Sequence, residues 1–139
     1  MKKSSVVLMM FLFVLSLTGC GAKSTSTVNL KEVATHAVGN VSIVLLNSTG
    51  DLKQGQNQFA VQFRDAKGQP IDVGTVQLGS SMSMPSMAPM SGDSEITPTG
   101  ETGTYRVKSN FGMSGSWHFT ISWNGPSGQG STAFNSNVR

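Results

Sequence analysis

Between Ser116 and Asn124 the side chains alternate without a break: Trp117, Phe119, Ile121 and Trp123 share one parity, while Ser116, His118, Thr120 and Ser122 share the other. Successive residues of a β-strand point to opposite faces, so this segment is a strand with one buried face and one polar face. Both tryptophans are therefore expected in the core. His118, on the other parity, is expected to be solvated.

The rest of the chain obeys the same period. Val41 to Asn47 is a short aliphatic run, and Phe59, Val61 and Phe63 alternate with Ala60, Gln62 and Arg64 before a turn at Ala66-Lys67-Gly68-Gln69-Pro70. Ile71 to Leu78 reads as a third strand and Ser94 to Pro98 as a short fourth, with a turn at Thr99 to Gly103. Tyr105 and Val107 lie in a fifth, and Gly125-Pro126-Ser127-Gly128 turns the long Trp-bearing strand into a last one near Ser131 to Val138. No helical periodicity and no internal repeat is present. The expected fold is all-β, an immunoglobulin-like antiparallel β-sandwich of about seven strands.

The N-terminus fixes where such a domain works. Lys2 and Lys3 precede an apolar run from Val6 to Leu17, too short to span a bilayer comfortably. The run ends Leu17-Thr18-Gly19-Cys20, which looks like a bacterial lipobox with Cys20 as the lipidation site. Cys20 is the single cysteine of the chain, so no internal disulfide competes with that assignment. Residues 1–19 are read as a lipoprotein signal peptide, 20–38 as the acylated cysteine and a flexible tether, and 39–139 as the domain. A tether of roughly eighteen such residues spans about 25 Å as a random coil. Lipid anchoring places the domain on the periplasmic or extracellular side of a membrane. Gly21 stands where an Asp would resemble an inner-membrane retention signal, which in a Gram-negative host points to the outer membrane.

Charge excludes one class of partner. Lys2 and Lys3 account for two of the ten Lys and Arg residues, leaving eight against seven Asp and Glu in the mature chain. There is no basic patch and no aromatic-interleaved stripe, so nucleic acid is not an expected partner. Catalysis is not expected either. The chain has no Gly-Xaa-Ser-Xaa-Gly elbow, no phosphate-cradling loop and no paired carboxylates.

What stands out chemically is methionine. Of the five methionines after the signal segment, four lie in Met82-Ser83-Met84-Pro85-Ser86-Met87-Ala88-Pro89-Met90. Two prolines and the surrounding Ser and Gly bar a helix or a core strand along its length. Met82 and Met84 continue the parity of Val76, Leu78 and Ser80; a strand persisting to Met84 would project both from one face, about 6–7 Å apart. Met87 and Met90 follow on a loop that proline restrains. Thioether sulfur is a soft, uncharged donor suited to Cu(I), so three of these four could form a neutral site for that ion or for Ag(I). Met113, in a loop expected at the same pole, is a further candidate ligand whose plainer role is packing beside Trp117. His36 in the tether, and Asp93 and Glu95 after the loop, carry little weight as ligands. Nothing in the loop supplies a core anchor, so it is expected to be mobile without metal.

The order Leu52…Gly55-Gln56-Asn57…Phe59-Ala60-Val61, then Asp65…Gly68…Pro70-Ile71, then the methionine stretch, then Gly103-Thr104-Tyr105…Phe111-Gly112-Met113-Ser114-Gly115-Ser116-Trp117, resembles YtkA-like domains. These are small exported β-sandwich domains related to the soluble part of FixH. The resemblance covers roughly Val41 to Trp123. It implies a role near copper handling, with a copper exporter, an efflux adaptor or an oxidase-assembly protein as partner. FixH has a transmembrane helix where this chain has a lipidation site, which weighs against oxidase assembly. The CopC group, another exported sandwich, uses a histidine at its mature N-terminus, where this chain has Cys20. The PCuAC group pairs methionines with two histidines at spacings that His36 and His118 do not reproduce. Two functions follow: a lipid-anchored domain that binds Cu(I) for buffering, transfer or tolerance, or a metal-independent module that docks on a membrane complex through its exposed methionines.

Overall fold

The computed structural model describes residues 29–139; the signal segment and Cys20 lie outside the described residues. Eight strands follow in order: β1 (Lys31–Val38), β2 (Val41–Asn47), β3 (Gly55–Arg64), β4 (Thr75–Met82), β5 (Met90–Pro98), β6 (Thr104–Phe111), β7 (Gly115–Gly125) and β8 (Gly128–Val138). Neighbouring strands pair antiparallel, in the spatial order β1-β2-β3-β6-β5-β4-β7-β8. The fold is the all-β sandwich expected, with one strand more.

β5 joins the two layers. Its residues Met90, Ser91 and Gly92 pair with β4, and from Asp93 to Pro98 it pairs with β6. A strand that changes sheets must bend, and Gly92 sits at that bend. A Cβ there would collide with Ser80 Oγ and lie 3.2 Å from Trp117 Cζ3, so only glycine lets the corner close over the indole.

The core lies between the layers. Ile43, Leu45, Phe59, Val61, Phe63, Val107 and Phe111 from one sheet meet Val76, Trp117, Phe119, Ile121, Trp123 and Phe134 from the other. Edge-to-face contacts such as Phe63 with Trp123 at 5.5 Å and Phe111 with Phe119 at 5.8 Å stitch the sheets together.

Three expectations need correction. The segment read as tether is β1 from Lys31 onward, opposite β2, with Val33 and Val38 packed against the core. His36 is therefore held, its ring stacked on Phe134 at 5.1 Å. The strand expected at Ile71 starts at Thr75, because Asp72 accepts the Gly74 amide at 2.8 Å in a turn of its own. The strand expected at Ser94 starts at Met90, which takes one methionine out of the loop.

Candidate metal centre

Met82 ends β4 and Met90 begins β5, and the two are direct register partners closing the base of the β4–β5 hairpin. Directly opposed residues in an antiparallel pair bring their Cβ atoms within about 5.5 Å, so the two thioethers leave the sheet side by side. Both lie on the core-facing parity, with Val76, Leu78 and Ser80 on one strand and Gly92, Ser94 and Ile96 on the other, and both pack against the core cluster. The expectation of a loop without a core anchor is thus wrong at its two ends. It holds for the tip, where residues 83 and 85–89 are exposed and Met84 is half-buried. β4 stops at Met82, so Met84 does not share a strand face with it.

The tip has a turn of its own. The Met87 amide donates to the Met84 carbonyl at 3.4 Å across Pro85 and Ser86, and Ser86 has φ of 63°. Pro at the second position and positive φ at the third are the marks of a type II turn. Met87 projects from it, 63% exposed.

Facing the hairpin base is the β6–β7 turn, Gly112-Met113-Ser114. A Cβ on Gly112 would lie 2.9 Å from the Met90 sulfur, and one on Gly115 would lie 2.5 Å from the Met82 methyl and 3.6 Å from its sulfur. The two glycines flanking Met113 therefore leave room for two thioethers against the turn. Met113 itself is 43% exposed, contrary to the expectation that it packs away beside Trp117. What Trp117 holds is the backbone: its indole N–H, fully buried, donates to the Met113 carbonyl at 2.9 Å. Gln54 Nε2 donates to the Gly112 carbonyl at 2.9 Å and fixes the turn from the other side. Gln54 and the part played by the two glycines escaped the sequence reading, although the pattern Gly112-Met113-Ser114-Gly115 between two aromatics was the signal that could have found that part.

The nitrogen and oxygen candidates are not brought to this place. His118 lies on the outer parity of β7, where Nδ1 contacts Asn135 Oδ1 at 2.9 Å. His36 stacks inside the β1 edge. Asp93 and Glu95 point outward from β5, opposite Asn110 and Lys108, into an open polar trough. Among the described residues no three His, Cys, Asp or Glu side chains gather as a metal site. Trp117 and Trp123 are core residues, as expected. The soft donors at this pole are the methionines, and sulfur of the neutral thioether kind fits a soft monovalent ion.

The family model for YtkA-like domains matches residues 35–122, more than half of the chain. The chain belongs to the YtkA-like family. The matched span of this YtkA-like chain contains the whole methionine hairpin and the β6–β7 turn. The chain is also similar to the Lin-41 filamin domain, at 19% identity over 76% of this chain and 98% of that one, with a TM-score of 0.47. A DUF4426 family protein of Pseudomonas aeruginosa PAO1 is similar at 14% identity, over 76% of this chain and 96% of its own, with a TM-score of 0.46. No curated protein matches in sequence.

Proposed function

We propose that this YtkA-like protein is a carrier rather than a catalyst: a lipoprotein, acylated at Cys20 and facing the periplasm or cell exterior, that binds Cu(I) through the methionines of one pole. Met82, Met84, Met87, Met90 and Met113 are the ligands from which the site is drawn, with Ag(I) as a surrogate ion. The observation that supports this most is exposure. Among the described residues the large apolar side chains left exposed are Met87 and Met113, both at the pole where Met82 and Met90 already stand paired. Leaving apolar area in water costs about 25 cal/mol per Å² that burial would recover. A sandwich that buries its aromatics yet presents these thioethers has a use for exposed soft donors. With neither imidazole nor thiolate, the site holds its ion loosely, as buffering or transfer to an exporter, efflux adaptor or oxidase-assembly protein requires.

The test is competition for Cu(I) between the purified full chain and a chromogenic Cu(I) chelator, under reductant and without oxygen. The full chain withdraws copper from the chelator, and the variant with all five methionines changed to Leu does not. Equal withdrawal by both ends the proposal. The same exposed side chains also suit a docking role. A membrane-complex partner captured from metal-stripped extract by the full chain, and lost with the five-Leu variant, would favour docking over metal binding.

A further inference from the structure

Five methionines are more donors than one soft ion needs, and the geometry divides them. Met82 and Met90 are opposed across a strand pair, anchored on the core, and lie against the two glycines that flank Met113. Met113 belongs to a turn whose backbone is tied down by Trp117 and Gln54. Met84 and Met87 ride on the hairpin tip, joined by a single long backbone hydrogen bond around a strained Ser86. Prepaid order is what converts weak donors into a site, because each free side chain that must be immobilised subtracts from affinity.

We propose that the holding site for the soft monovalent ion is the triad Met82, Met90 and Met113, that Trp117 is its positioning residue, and that Met84 and Met87 exchange the ion without holding it. This rests on the soft-metal reading and says which sulfurs carry it. Trp117 acts through the carbonyl of Met113. Its ring is wedged beside Phe111 at 5.0 Å and under Gly92, so the indole N–H has no freedom to follow the turn elsewhere. The hydrogen bond thus fixes where Met113 leaves the backbone relative to the Met82–Met90 pair. Met87, the most exposed of the five at 63%, and Met84 beside it on the turn meet an incoming ion or an acceptor's ligands first.

The measurement is NMR of the full chain in detergent micelles, with the methionine methyl carbons labelled and Ag(I) added as nitrate in chloride-free buffer. At one equivalent the methyl signals of Met82, Met90 and Met113 shift, while those of Met84 and Met87 stay in place. A parallel chelator competition reads affinity. Trp117→Phe keeps the ring and loses the donor, and weakens Ag(I) binding about tenfold, the lower end for residues that orient a ligand. Met113→Leu weakens binding in the wild-type background and adds nothing on top of Trp117→Phe. Met82→Leu, by contrast, weakens both backgrounds, which a general collapse of the pole would not permit. If Ag(I) moves no methyl and no competition is seen, the soft-metal reading fails and the triad with it. If Ag(I) binds but shifts Met84 and Met87 while Met82 or Met90 stays still, the reading stands and the triad is overturned. Undiminished binding by Trp117→Phe overturns the positioning role.

Discussion

Two single residues show how much this fold asks of a side chain's exact reach. Tyr105 is buried against the β3–β6 layer, and its hydroxyl donates to the Gly74 carbonyl at 2.6 Å. Burial raises its pKa, and the nearby Asp72 carboxylate adds to the shift. A group whose pKa is raised by folding lends stability that is complete below its unfolded value, about 10, and is lost as pH climbs through the folded one. Thermal melts should thus be insensitive to this group up to pH 10 and fall above it. Tyr105→Phe should flatten that alkaline fall and cost about 1 kcal/mol at neutral pH, the worth of one neutral hydrogen bond. A fall that survives the substitution would assign it to other groups. Gly112 gives the complementary test at the methionine pole. It lies outside the left-handed region, so alanine is compatible with its backbone, yet the new methyl would meet the Met90 sulfur at 2.9 Å. Gly112→Ala should cost about 1–3 kcal/mol in a urea melt, as overpacking does, while weakening Ag(I) binding; unchanged binding would show that the Met90 sulfur need not lie against the turn. Tyr105 was legible as a strand residue, but its polar contact reaches a loop far away in sequence, and no pattern carries that.

At the scale of elements, legibility followed periodicity. β7, with four bulky residues in one phase, and β2, β3 and β6, with aliphatic or aromatic runs, were plain because tertiary burial and local pattern agree. β1 was not. A register shift between Glu32 and Ala34 puts Val33 and Val38 on one face although they are an odd number of residues apart, and this erases the alternation. β5 hid for a different reason: Met90-Ser91-Gly92-Asp93 has no β-branched residue, and its pairing is imposed by β4 and β6 on either side. The role of β1 is measurable. A chain begun at Val41 lacks the partly buried Val33 and Val38 and the stack of His36 on Phe134. It should lose about 2 kcal/mol relative to one begun at residue 29, a drop of roughly 10 °C in Tm. Equal melting temperatures would return β1 to the status of a tether.

In the whole molecule, the methionine pole lies where the two sheets are joined twice, by the β4–β5 hairpin and by the β6–β7 turn. The position of the pole was legible, since four methionines between two turn-rich segments must end a sheet. Which sulfurs are held and which are free was not, because it depends on a hairpin register and on two glycines lying under side chains from another part of the chain. The sandwich keeps His36 and His118 away from this seam, one inside the β1 edge and the other on the outer face of β7. Thioether sulfur is therefore the soft donor the pole offers. X-ray absorption at the copper edge of the Cu(I)-loaded full chain tests that most directly. A first shell of sulfur alone is the expected result, and a shell containing nitrogen or oxygen would contradict a thioether centre.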